Sequence, residues 1–476
     1  MNKVNDMQSR RSFLMSSMFA GAGCLAAAEA VAEKKPAAKP AEVANPLIYP
    51  MRPMKAQLSR ELTVAVVGAG GRGYGYQGYG KRYPGTMKIV AVADINQFRL
   101  DRMANAWNVP ADRRFHDYSE LLAASANGKL ADILLVALPD NLHYDATMKG
   151  MELGYDVLVE KPMAQSSKEC LDMLAKQKET GRIVGVCHVL RYAPYFEAMK
   201  SAIDRGLIGD LMCIQHTELV ERIHTSHSYV RGNWRNSKIA TPMVISKCCH
   251  DLDLINWFIG SRCSHVSAEG ELRYFIPKNC PAGAPARCTD GCPHEKDCIY
   301  SAIKTYVKRR GWTGPLDLPP KATDEQVTKI LAASPYSRCV FACDNDQPEQ
   351  YAAALRFENG VSVAFSYEAL SPVGQRRTRI IGTKGMLEGG GVGFRLTDLA
   401  MGKYWDWSMK IQDIPGYELQ GHGGGDYRLV RDFLQAVDKR DPSMLTSTLE
   451  ASVESHLIGF ACEESRLTGR KIKLHG

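Results

Sequence analysis

Residues 62–73 read LTVAVVGAGGRG, an apolar β-rich run that ends in Gly68, Gly70, Gly71 and Gly73. No other stretch constrains the fold as strongly. In a G-x-G-x-x-G that follows a strand, the first glycine makes a tight turn and the second lets the backbone approach a pyrophosphate. The third lets the next helix pack closely with its N-terminus facing the negative charge. Arg72 stands inside the same turn. A second β-rich run, KIVAVADIN, ends in Asp94, about 20 residues beyond the glycines. A carboxylate at that spacing accepts from the ribose hydroxyls of an adenosine and repels a 2′-phosphate. The chain is therefore expected to bind a dinucleotide, NAD in preference to NADP.

The βα rhythm continues. ADILLVAL (131–138) is a continuous apolar run, as a parallel strand buried on both faces requires. Helical HYDATMKGMELG, strand-like DVLVEKPMA, helical SSKECLDMLAKQKETG and strand-like IVGVCHV follow. The pattern predicts a doubly wound parallel sheet over residues 61–189 and leaves 190–476 for a second domain. A length of 476 residues suits two domains. The composition, 45% hydrophobic and 24% charged, is that of a globular protein. The net charge of +8 is spread without a Lys/Arg tract, so nucleic acid is not an expected partner.

The first 32 residues read as an address. Arg10 and Arg11 precede Phe13, Leu14 and an apolar run too short to span a bilayer, and Ala30-Val31-Ala32 offers a small-x-small cleavage site. This predicts a twin-arginine signal, export by the Tat machinery and a periplasmic location, with no stable membrane span. A lipoprotein anchor at Cys24 is a weaker reading, as is a buried N-terminal helix. Residues 33–60, rich in Pro, Ala and Lys, read as a linker with nothing to pack against.

With these motifs in place the chain resembles the Gfo/Idh/MocA family of NAD(P)-dependent sugar oxidoreductases. The likeness rests on VVGAGGRG, LPDNLH (138–143), GYDVLVEKP (154–162), LRYAPYFEAMKSAIDRGLIGDL (190–211) and GHGGGDYRLVRDFLQAV (421–437), and covers residues 61–476. It implies a Rossmann domain followed by an α/β domain whose open, mostly antiparallel sheet walls the substrate cleft. It further implies tightly held NAD, a small carbohydrate substrate and homo-oligomers.

Within this frame Glu160-Lys161-Pro162 places Lys161 at the carboxyl end of a strand, in the crevice where open α/β sheets bind ligands. There Lys161 is expected to relay a proton from a sugar hydroxyl while hydride leaves the carbon. Pro139, Asn141, His143, Glu160 and Arg191 are expected along the cofactor, with Tyr192 at the mouth between domains. A helix over 244–259 is expected to bring His250 to the substrate, because His250, Asp253, Leu254 and Trp257 share one face. The family often has an aspartate four residues before this histidine. Here that position is Ser246, and neighbouring Lys247 is the candidate substitute. Cys248 and Cys249 diverge by about 100° on a helix and read as packing residues.

HTSHSYVRGNWR (224–235) supplies His227, Arg231, Trp234 and Arg235 as candidate substrate contacts, together with Asp253 and His422. Its bland alternative is a loop of surface-packing aromatics. Between residues 277 and 345 lies a Cys-rich insertion. Cys280, Cys288, Cys292, Cys298, Cys339 and Cys343 either hold structural zinc or pair as disulfides, with an iron–sulfur cluster or free thiols as further options. In every version the insertion is expected to be too loop-rich to bury a core of its own.

Two chemistries remain open. The first is hydride transfer between a carbinol carbon and bound nicotinamide. The second is a redox-neutral glycosidase or lyase that passes through a transient 3-keto sugar. The periplasmic address favours the second, because no NAD pool is expected there. Against it, glycosidase relatives carry a Trp-rich motif where this chain has LPDNLH, and they lack the lysine of Glu-Lys-Pro.

Overall fold

The computed structural model describes residues 44–412 and 421–475. The expected signal segment, 1–32, and the start of the expected linker lie outside the described residues. Among the described residues no helix is long and apolar enough to cross a membrane.

Six parallel strands build the first sheet: β1 (Leu62–Val67), β2 (Met87–Ala93), β3 (Arg114–Phe115), β4 (Ile133–Val136), β5 (Asp156–Val159) and β6 (Val184–Val186). Their order is β3-β2-β1-β4-β5-β6, the doubly wound arrangement that the alternating pattern predicts. Strands β4 and β5 are buried at every position, which explains the apolar runs ILLV and VLV, while Asp156 at the start of β5 is paired with Arg440. Such a sheet offers ligands the crevice beyond its carboxyl edge, where strand order reverses between β1 and β4.

The second sheet has nine strands. They are β7 (Leu211–Glu221), β8 (Cys263–Glu271), β9 (Gln350–Phe357), β10 (Ser362–Ser371), β11 (Gln375–Gly382), β12 (Gly385–Gly389), β13 (Gly393–Asp398), β14 (Tyr404–Ser408) and β15 (Ile472–Lys473). Their order is β14-β13-β12-β11-β7-β10-β9-β8-β15, antiparallel except where β10 joins β7. Buried and exposed residues alternate strictly along β9, so one face packs and the other is open. The packed face meets helices Cys249–Ile259 and Leu449–Thr468 through Leu252, Leu254, Ile458 and Cys462.

The boundary between the two halves is less clean than the chain order suggests. Helix Gly421–Lys439, which is broken by a left-handed turn at His422, Gly423 and Gly424, lies late in the sequence, yet its Phe433 and Leu434 belong to the core that contains Leu158 of β5 and Cys187 just beyond β6. Gly185 on β6 permits this, because a Cβ there would stand 3.0 Å from the Phe433 ring.

Three further expectations are corrected. Over its described part the linker is docked, not free. Leu47 is buried, Ala56 N–H donates to Tyr79 Oη (2.8 Å), and Gln57 N–H donates to Gln435 Oε1 (2.9 Å). The expected helix 244–259 is two helices, Met243–Ser246 and Cys249–Ile259, interrupted at Lys247 and Cys248. The insertion, which joins β8 to β9, does bury a small core of Tyr306, Val307, Leu316, Val327, Leu331 and Tyr336.

Of the options for the insertion cysteines, zinc and disulfides are corrected and free thiols are what the described residues show. Among the described residues no group of three or more ligands is arranged to hold a metal ion, and the cysteines are free thiols. Cys280, Cys298, Cys339 and Cys343 pack with Phe275, Tyr300, Val340 and Phe341. Cys288, Cys292, Cys298 and Cys339 line a cavity of only about 20 Å³. Arg231 Nη2 approaches Cys288 Sγ at 3.8 Å, a cation where a metal would need thiolates. Burial raises the Cys298, Cys339 and Cys343 thiols above the ordinary thiol value.

Candidate active site

At the carboxyl edge of β1, β2 and β4 runs a groove of about 290 Å³ lined by Gly68, Gly70, Gly71, Arg72, Asp94, Arg99, Pro139 and Trp234. Its geometry fits a dinucleotide. Gly68 has φ +92°, and a Cβ there would lie 2.3 Å from Ala137 O. A Cβ on Gly73 would lie 2.0 Å from Gly68 O. Only glycine closes this turn. Helix Gly71–Arg82 starts from Gly70 with no side-chain cap and no acid in its first turn, leaving its N–H groups and positive dipole end for an anion. Asp94 accepts from Ala69 N–H (2.7 Å) and Asn96 N–H (2.8 Å), which fixes the carboxylate in the groove wall with lone pairs to spare.

The groove runs on into a cleft of about 210 Å³, sharing Arg72, Ala137, Leu138 and Trp234 with it. Lys161, Ser246, Lys247, His250, Arg376 and His422 line this cleft, with Tyr229 and His224. Lys161 Nζ donates to Ser246 O at 2.7 Å, so Ser246, four residues before His250, orients the lysine through its backbone. Asp140 holds the β4 turn against the same wall, accepting from Thr241 N–H (2.9 Å) and Oγ1 (2.8 Å). His143 is also fixed there, its nitrogens 2.7 Å from Pro162 O and 2.8 Å from Leu138 O.

The cleft presents cations while their carboxylate partners sit behind them. Lys247 pairs with Glu218 at 2.7 Å, and Arg376 pairs with Glu218 at 3.1 Å and Asp251 at 2.6 Å. Glu218 and Asp251 are buried. Burial works against the Asp251 carboxylate, but Arg376 and His216 outweigh it and hold its pKa well below the usual range. Arg72 bridges groove and cleft, reaching Glu160 (2.7 Å) and Asp426 (3.0 Å). Burial likewise opposes ionisation of Glu160, yet Arg72 and Tyr76 keep it ionised.

His250 is the counterpoise. Burial, with Lys161, His422 and His188 around it, pushes its pKa well below the ordinary imidazole value, so the ring is neutral. Its Nδ1 has no hydrogen-bond partner among the described residues. The His422 ring lies 5.8 Å from it, held through Nδ1 by Asp426 at 2.9 Å. A neutral imidazole beside a lysine, at the far end of a dinucleotide groove, is equipped to take or give a proton next to a hydride acceptor.

Several expected site residues lie elsewhere. Arg191 is buried and makes a two-pronged contact with Asp253 (2.6 and 2.7 Å), which removes both from the cleft. Tyr192 is buried, with its hydroxyl on Ser447 Oγ (2.9 Å). Asn141 is exposed on the turn and does not line the groove. His227, Arg231 and Arg235 face the insertion instead: His227 stacks on Tyr336 at 4.6 Å, Arg231 donates to Arg338 O and Tyr300 O, and Arg235 pairs with Asp344. For all of these but Asn141 a nearer partner of matching charge or shape takes the side chain.

Arg376, Tyr229 and His224 were not singled out from the sequence. Arg376 carried a usable signal, since it shares a strand face with buried Thr378 and Ile380. An arginine on an inward strand face needs an acidic partner or a ligand.

Comparison with known proteins agrees with this geometry. Residues 62–188 match the model of an oxidoreductase family with an NAD-binding Rossmann fold, and residues 200–474 match that family's C-terminal alpha/beta domain. The chain is 25% identical over 338 residues to the putative oxidoreductase YteT of Bacillus subtilis, covering 69% of this chain and 78% of that protein. It is 26% identical to an inositol 2-dehydrogenase of Corynebacterium glutamicum, covering 44% of this chain and 58% of that one. Among solved structures, an inositol dehydrogenase homologue from Azotobacter vinelandii complexed with NAD+ superposes with a TM-score of 0.65 at 16% identity. The alignment covers 89% of this chain and all of that one. A levoglucosan dehydrogenase in complex with NADH and levoglucosan gives 0.62 at 15% identity, over 87% of this chain and all of that one. Glycine loop, nine-stranded sheet and cleft lysine thus stand in one frame, and the chain belongs to the Gfo/Idh/MocA oxidoreductase family.

Proposed function

We propose that this protein is an NAD-dependent dehydrogenase that oxidises a secondary hydroxyl of a sugar or cyclic polyol in the cleft between Lys161 and His250. One observation carries the reading. The dinucleotide groove and the cleft are continuous, and Lys161 and His250 both line the end away from Asp94. The inositol and levoglucosan dehydrogenases among the similar proteins support a polyhydroxylated substrate.

Bound in the groove, the nicotinamide supplies the hydride acceptor. Lys161, held by the Ser246 carbonyl, positions the reacting hydroxyl through its remaining hydrogens. Neutral His250 receives the hydroxyl proton as hydride leaves the carbon, and in the reverse direction it returns that proton. Lys247 and Arg376, fixed by Glu218 and Asp251, offer donors to the other hydroxyls of the ring. Tyr229 and Trp234 supply apolar faces for its C–H groups.

Export by the twin-arginine route to the periplasm, with the cofactor already in place, belongs to the same reading and rests on Arg10 and Arg11. So does self-association through the open face of the second sheet. The test uses full-length protein purified without added cofactor and screened against polyols, aldoses and aryl glycosides. Reduction of bound nicotinamide by a free polyol, seen in its near-ultraviolet absorbance, is expected. Release of an aglycone with no net reduction would replace this reading with the redox-neutral one.

A further inference from the structure

The groove has a wall that the Rossmann domain does not make. Within the insertion, a short turn, Gly314–Leu316, ends at Asp317, whose backbone is left-handed (φ 45°, ψ 50°). Leu316 anchors this turn in the insertion's small core. The Asp317 carboxylate thereby reaches the helix that follows Asp94. It accepts from Arg99 Nε at 3.1 and 3.0 Å, pairs with Arg99 Nη2 at 2.8 Å, and accepts from Asn96 Nδ2 at 3.0 Å. Neither side chain is freely exposed, at 28% for Arg99 and 17% for Asp317.

Arg99 is a groove residue. A Cβ on Gly70 would stand 3.8 Å from its Nη1, so the guanidinium lies over the glycine loop, near Asp94. Nearby Arg102 donates to Ala69 O and covers the Tyr74 ring at 3.9 Å. An arginine placed like Arg99, near the carboxylate that meets the ribose, is the group a 2′-phosphate would pair with, because a guanidinium binds phosphate through paired N–H groups.

We propose that Asp317 is a second determinant of NAD selectivity, acting with Asp94. It occupies two of the three Arg99 nitrogens and adds its own negative charge. A 2′-phosphate then meets two carboxylates and an arginine already committed. A dinucleotide with a free 2′-hydroxyl loses nothing by this arrangement. The inference rests on the groove taking a dinucleotide, and the test separates the two ideas.

Full-length wild type, Asp317→Asn and Asp317→Ala are each equilibrated with an equimolar mixture of NAD and NADP, then desalted. The retained dinucleotides are weighed by mass spectrometry. The expected result is a rise of about tenfold in the NADP:NAD ratio for Asp317→Asn, and more for Asp317→Ala. Adding Arg99→Met to Asp317→Asn should abolish the gain. An unchanged ratio, or equal loss of both dinucleotides, would overturn the inference and leave Asp317 as a staple for the insertion. Wild type that retains neither dinucleotide would overturn the NAD reading as well.

Discussion

The cofactor groove and the substrate cleft adjoin, yet they are built from different materials. The floor of the groove is largely backbone: the glycine turn Gly68–Gly73, the helix N-terminus that follows it and the Asp94 carboxylate, all within 27 consecutive positions, with Arg99, Pro139 and Trp234 added from further along the chain. The cleft is side chain. Its lining comes from the β4 turn, the end of β5, the segment 224–234, two short helices, β11 and the His422 turn, and its cations depend on carboxylates buried behind them. Backbone sites tolerate few substitutions but need few partners. A cleft of paired charges must keep every partner, because a buried ion that loses its counter-ion is strongly destabilising.

The sharpest way to break this contrast is Arg376→Met. It would leave Asp251 with His216 alone and Glu218 with Lys247 alone in the interior and should cost about 4 kcal/mol of stability, read by denaturant unfolding. Asp251→Asn in the same chain should recover part of that loss. If Arg376→Met is neutral, the cleft is not held by its charges. Gly73→Ala tests the other side. With a Cβ 2.0 Å from a carbonyl oxygen, the loop must shift at a cost of about 3 kcal/mol. Calorimetry should then find no NAD binding, while the second sheet is untouched.

A smaller effect should appear in acid, where the two regions meet. Burial raises the Asp426 pKa, but His422 and Arg72 outweigh it and lower it from 3.8 to about 2. The carboxylate is bound more tightly folded than unfolded, so its stabilisation is present above pH ~4 and is lost as pH falls towards ~2. The loss should be about 2 kcal/mol, and an Asp426→Asn variant should lack that part of the acid slope. An identical slope in the variant would place the sensitivity elsewhere.

The same contrast explains how much was legible in the sequence. Gly68, Gly70, Gly73 and Asp94 could be assigned because local spacing alone defines a backbone turn. Lys161 and His250 could be assigned through the family's motifs, and both line the cleft. Arg191, Asp253, His227 and Arg231 were misplaced because a side chain's direction depends on which distant partner is nearest. Arg191 turns to Asp253, 62 residues away, and Arg231 to the insertion carbonyls. The interruption at Lys247 was equally invisible. There, Lys247 is drawn towards Glu218 on β7, and apolar periodicity carries no trace of that pairing.

The most direct test is a single turnover with protein that carries its own NAD. A polyol found in the screen is mixed rapidly with wild type and with Lys161→Ala, and the reduced nicotinamide is followed by absorbance. Wild type should reduce its bound cofactor stoichiometrically, and Lys161→Ala should retain NAD yet react about a hundredfold more slowly. Equal rates in the two proteins would contradict the role of Lys161 in positioning the reacting hydroxyl.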